Sequence, residues 1–97
     1  MVCKFLPESE IELNQAIEYY ENCQSGLGED FKNEVLAGMD NITNYPEAWF
    51  KVSAEYHRIL LNRFPYGIIY SIEDGFVLIV AIMNLHRKPY YWKNRME

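Results

Sequence analysis

The chain is poor in the residues that build metal and redox sites. Its 97 residues hold two cysteines, Cys3 and Cys23, with no C-x-x-C pair and no further thiol to complete a zinc set. Buried or inert thiols in a reducing cytoplasm are expected, with a Cys3 to Cys23 disulfide as the alternative. Histidine is as scarce: His57 and His86 lie far apart, and no carboxylate stands at a ligand-like spacing from either. No metal and no cofactor is therefore expected. A phosphate loop, a dinucleotide fingerprint and a nucleophile elbow are all missing, which sets nucleotide-dependent chemistry aside. The longest apolar run, "FVLIVAIM", falls far short of the ~20 residues that span a bilayer. The start, "MVCKFLPESE", lacks the basic region and apolar stretch of a signal peptide. These absences point to a soluble, cytoplasmic protein with no membrane partner. Repeats, linkers and low-complexity segments are also absent, so one domain over residues 1–97 is expected.

What is present is apolar, aromatic and unevenly charged. Hydrophobic residues make up 49% of the chain and aromatics 15%, which suits a folded domain. Residues 1–47 carry two Lys against ten Asp/Glu, and residues 48–97 carry seven Lys/Arg against four, giving −8 and +3 within a net charge of −5. Such a split fits a basic side offered to an anionic partner, and equally fits acidic helices lying in front of a sheet.

The periodicity gives an element order. Val2 to Leu6 reads as a strand stopped by Pro7. Ser9 and Glu12 make a capping-box pattern, after which Leu13, Ala16, Ile17 and Tyr20 recur at helical spacing. "SGLG" breaks this helix, and Phe31, Val35, Met39 and Ile42 mark a second one that ends before Pro46. So short a turn makes the two helices an antiparallel hairpin. Three strand-like runs follow, 55–64, 66–72 and 76–85, separated by "FPYG" and by the tight turn Glu73 to Gly75. The order is β-α-α-β-β-β.

Strict alternation in the last run puts Phe76, Leu78, Val80 and Ile82 on one face and Val77, Ile79, Ala81 and Met83 on the other. Two helices cover only one apolar face. The second needs the C-terminal tail, another subunit or a partner chain. Asn84 and His86 continue the face of Ile82. On the preceding strand, Arg58, Leu60, Asn62 and Phe64 are expected opposite His57, Ile59, Leu61 and Arg63. Arginines on a sheet need anions or water, and Glu55 and Glu73 are the nearest acids in sequence. The tail "NLHRKPYYWKNR" interleaves Arg87, Lys88, Lys93 and Arg95 with Tyr90, Tyr91 and Trp92. Such a mixture grips phosphates and stacks on bases, or binds an acidic protein segment, while Trp92 and Tyr91 can instead pack the tail onto the sheet.

Over nearly its whole length the chain resembles the RelE/ParE family of toxins from toxin-antitoxin systems, which includes plasmid stabilisation proteins. The resemblance rests on "AIEYYE", "GLGEDF", "HRILLNRFPYGIIY" and "AIMNLHRKPYYWKNR", whose R-x-P-x-x-W-x-x-R core matches the ending of ParE-like members. It implies an α+β fold, a helical hairpin packed on one face of a small, mainly antiparallel sheet. It also implies a cognate antitoxin covering the exposed sheet face. A ParE-like member inhibits DNA gyrase by binding, and Arg58, Arg63, Asn84, Arg87, Lys88, Trp92 and Arg95 are then the residues that contact target or antitoxin. A RelE-like member cleaves mRNA on the ribosome. That chemistry needs a base, a proton donor and cations, for which Glu55, His57, Arg58, His86, Tyr90 and Tyr91 are the candidates, with Arg63 and Arg87 as further cations. A third alternative keeps the fold without toxicity. Asn84 stands where many relatives carry a His.

Overall fold

The computed structural model describes residues 1–96. Val2–Phe5 forms β1, Pro7–Cys23 α1, Leu27–Asn44 α2, Phe50–Lys51 β2, His57–Leu60 β3, Tyr66–Ile72 β4 and Phe76–Asn84 β5. The strands make one sheet in the order β1-β5-β4-β3-β2. From β2 to β5 each strand runs antiparallel to the next, and β1 adds in parallel to β5 at the sheet edge. The expected order gains one short strand, β2, and the expected run 55–64 is a strand only over 57–60. The reason lies on α2. Glu34 accepts the backbone N–H groups of Asn62 and Arg63, which takes them out of the ladder. The chain bends there, and Phe64 swings in with the ring cluster of the helices rather than sharing a face with Arg58.

The first helix begins two residues before Ser9. Pro7 sets the first turn, where its fixed φ fits and its missing N–H leaves no orphan donor. Glu8 and Glu10 in that turn favour the positive end of the helix dipole. Ser9 and Glu12 therefore form no capping box. Ser9 is fully buried, with Oγ 2.7 Å from the carbonyl of Leu6 and 2.9 Å from that of Ile79. It ties α1 to the middle of β5.

Between the helices, Gly26 takes φ 90°, a left-handed conformation that side chains resist. A Cβ on Gly28 would lie 2.6 Å from the carbonyl oxygen of Ile17, so the hairpin closes this tightly only with glycine there. The carboxylate of Glu21 accepts the N–H groups of Gly26 and Gly28 and so caps α2 from α1. The stripes then meet the sheet as expected. Ala16, Phe31, Val35 and Ile42 are buried against Ile59, Ile68, Tyr70, Val77, Ile79 and Ile82, with Leu13, Ile17, Tyr20 and Met39 packed around them. Phe31 sits at the centre of a ring cluster, 5.3 Å from Tyr20, 5.1 Å from Phe64 and 4.9 Å from Tyr66. Each such ring pair adds about 0.5–1.5 kcal/mol beyond its buried area.

Strict alternation fails in β5. Ile69 pairs with Ala81 but Tyr70 pairs with Ile79, so Val80 is a bulge residue with no partner opposite. The face assignment resets at that point. Val77, Ile79 and Ile82 face the helices, whereas Val80, Ala81 and Met83 face outward with Ile69. Among the described residues no helix is long and apolar enough to cross a membrane. Cys3 and Cys23 are both free thiols.

Candidate interaction surface

The outer face of the sheet is where the tail lies. Residues 85–96 fold as successive tight turns, with Tyr91 N–H to Lys88 O, Lys93 N–H to Tyr90 O and Arg95 N–H to Trp92 O. These turns lay Trp92 on Ile69, Val80, Ala81 and Met83, leaving the indole only 2% exposed. Its ring meets Tyr56 edge-on at 4.9 Å and Tyr90 at 5.6 Å. The tail thus supplies the cover over β4 and β5. Toward β2 and β3 the face stays open, with Phe50 62% and Leu60 49% exposed.

One carboxylate holds the tail down. Glu12, on α1, accepts two bonds of 2.8 Å from the guanidinium of Arg95 and one of 2.6 Å from the Tyr91 hydroxyl, with Arg87 at 3.5 Å. The edge of β5 completes the arrangement. Beyond Ile79, where β1 no longer pairs with it, the Ile82 N–H donates to Glu12 at 3.1 Å and the Val80 carbonyl accepts from Arg95 at 3.0 Å. The Arg87 guanidinium lies 3.7 Å from the Tyr91 ring centroid, a cation stacked on an aromatic face. Hydrogen bonding to Glu12 raises the pKa of Arg95 despite its partial burial. Burial and the bond to Glu12 push the Tyr91 phenol well above its usual range, so it stays a donor.

The residues expected to carry function fall into separate groups. Arg87, Tyr91 and Arg95 converge on Glu12. Arg58, Tyr90 and Trp92 line a recess of about 170 Å³ on the outer face. His57 points the other way, toward the helices, where its ring stacks on Tyr70 at 5.3 Å. Burial lowers its pKa, and Lys51 lowers it further. Beneath it, burial holds the Tyr70 phenol at about 12 while its hydroxyl donates to the Pro46 carbonyl. Glu55 is exposed in the turn between β2 and β3, beside His57 on a cavity of about 510 Å³. His86 and Lys88 are exposed beyond β5, and Asn84 accepts the His86 N–H at 2.9 Å. Arg63 forms a surface pair with Asp30 at 3.5 Å, not with Glu55 or Glu73. Of the expected acid and base candidates, Glu55 borders both the cavity of His57 and, with Tyr90, one of about 660 Å³, whereas Tyr91 and His86 lie apart from both.

Sequence reasoning overlooked Glu12, which reads locally as a cap. Its partnership with Arg95 spans 83 positions. The available signal was indirect: a tail with four cations and no acid needs carboxylates from elsewhere.

No family model matches the chain, and no curated protein matches it. Among solved structures, a chain of the chromosomal ParDE TA system from P. aeruginosa superposes with a TM-score of 0.65 at 12% identity, over 89% of this chain and 97% of that chain. The likeness is one of fold. The expected α+β architecture, a helical hairpin on one face of a small, mainly antiparallel sheet, is what the chain adopts, and that ParDE chain shares it.

Proposed function

We propose that the chain is the toxin of a toxin-antitoxin pair, that an antitoxin segment neutralises it, and that it arrests growth in the cytoplasm by binding DNA gyrase without cleaving a substrate. The observation that carries this reading is the fold shared across 89% of the chain with a ParDE system, together with an ending of the R-x-P-x-x-W-x-x-R form. The separation of the acid and base candidates from the candidate arginines favours binding over cleavage. Glu55 meets His57 on one cavity and Tyr90 on another, but neither is lined by Arg58, Arg63 or Arg87, the cations a crowded phosphate needs, while Tyr91 is engaged by Glu12 and His86 lies beyond the end of β5. The open strip around Phe50 and Leu60 offers the antitoxin an apolar footing that the tail leaves free.

Expression without any antitoxin should arrest growth, and co-expression of the neighbouring small reading frame should restore it. Purified protein should inhibit supercoiling by gyrase. Unchanged supercoiling at high excess, with ribosome-dependent cuts in translated mRNA by primer extension, would replace the gyrase reading with the nuclease one. Normal growth would remove toxicity altogether.

A further inference from the structure

The recess beside the tail holds two hydrogen-bond donors that the fold leaves unused. Trp92 Nε1 and Arg58 Nε are both buried and, among the described residues, neither meets an acceptor. Both side chains line the same recess, with Tyr90 at its rim and Val52, Ile69 and Met83 in its walls. Arg58 also has no carboxylate partner among the described residues. Its guanidinium rests on the Phe50 ring at 4.8 Å, a contact that steers the cation without neutralising it. The contrast with the other arginines of the sheet and tail is direct: Arg63, Arg87 and Arg95 each have an acid within 4 Å. Buried polar atoms without partners are rare because each costs free energy, and two in one recess need a common explanation. The rim is strained as well. Tyr90 takes φ 63°, unusual for a bulky residue, and its hydroxyl reaches the Val52 carbonyl at 3.2 Å.

We infer that this recess is the receptor for one acidic side chain, an Asp or Glu carboxylate on an otherwise apolar protein segment lying along the open strip. A carboxylate satisfies both features: it accepts from indole and guanidinium N–H groups and it neutralises Arg58. The volume, about 170 Å³, suits one side chain. The apolar walls and the exposed Phe50 and Leu60 beside them suit a peptide more than a polyphosphate. The inference adds to the proposed function the chemistry of the partner segment, and it rests on that proposal only for the segment's source.

The two indoles make the test specific. Trp49 Nε1 already donates to the Asn41 carbonyl at 3.3 Å, so its N–H signal is an internal control for that of Trp92. The full chain, labelled with nitrogen-15, is titrated with a short capped peptide of leucine and serine carrying a single glutamate, and with the same peptide carrying glutamine in its place. The glutamate peptide should move the Trp92 indole signal saturably and leave that of Trp49 still. It should bind about ten-fold more tightly than the glutamine peptide, the ratio expected of a charge-assisted contact. Arg58→Met, which keeps the aliphatic stem, should abolish that ratio. If this variant does not fold, the glutamate-to-glutamine comparison on the unaltered chain decides alone. Equal binding of the two peptides, or a stationary Trp92 signal, overturns the inference. So does a short single-stranded oligonucleotide that moves Trp92 where the glutamate peptide does not. Growth arrest with no peptide discrimination leaves the proposed function standing and removes this inference, and discrimination without arrest does the reverse.

Discussion

The two faces of the sheet are closed in different ways. On the inner face two long helices deliver a stripe each, and Phe31 alone touches three rings. Many contacts share the load there, so no single polar group is decisive. The outer face is closed by the turns of residues 85–96, anchored by one indole and one carboxylate. A segment without regular secondary structure has few internal hydrogen bonds to hold it, so its position depends on what it touches. The comparison teaches that the basic tail is in part an internal feature, with Arg95 as its partly buried anchor. Two of its four cations, Arg87 and Arg95, are directed at Glu12, while Lys88 and Lys93 stay exposed.

The comparison is tested first where the effect is largest. Phe31→Ala should cost about 3–5 kcal/mol, because it opens a cavity at the centre of the ring cluster. Urea denaturation should record this as a lower midpoint with exchange accelerated throughout the molecule. Trp92→Ala should cost about 3 kcal/mol, the low end of the same range, because the tail can settle into part of the space. Hydrogen exchange should then rise mainly in residues 85–96 and along β5. Equal midpoints for Trp92→Ala and the unaltered chain would refute the anchoring role of the indole.

Glu12→Gln should cost about 2 kcal/mol, since it weakens charge-assisted bonds to Arg95 and Tyr91 without emptying the site. A double-mutant cycle with Arg95→Gln should give a coupling of roughly 1–2 kcal/mol. Coupling near zero would mean that the tail is held by packing alone, and the contrast between the faces would then lie in area and not in chemistry.

Helical and strand periods were legible because they are local. The stripes of Phe31, Val35 and Ile42 and of Ala16 and Tyr20 lie where the spacing put them, and the hairpin turn at Gly26 follows from its glycines. What could not be read are the features set by pairs distant in sequence. The bulge at Val80 leaves no mark in "FVLIVAIM", since every residue there is apolar and either phase looks alike. Glu34 cuts β3 short from across the fold, and a two-residue strand such as β2 is too brief to carry a period. At the candidate site, the residue types in the tail were evident, but their division between Glu12 and the outer recess depended on where β1 ends. Beyond Ile79 the edge of β5 offers Val80 O and Ile82 N–H to the tail and its anchor.

The smallest predicted effect concerns pH and belongs to the inner face. His57 is stacked on Tyr70 and buried, and its folded pKa is lowered, first by burial and then by Lys51, with Glu47 opposing. The unfolded chain therefore binds this proton at a higher pH than the folded one does. Stability contributed by the neutral ring is intact above the unfolded value of about 6.5 and declines as pH falls below it. Denaturation midpoints of the unaltered chain should accordingly drop between pH 7.5 and 5.5. His57→Phe, which keeps a ring against Tyr70 and removes the proton site, should flatten that part of the profile. Parallel profiles for the two proteins would show that His57 does not charge on unfolding in this range, and the pH dependence would then have to arise elsewhere than beneath the helices.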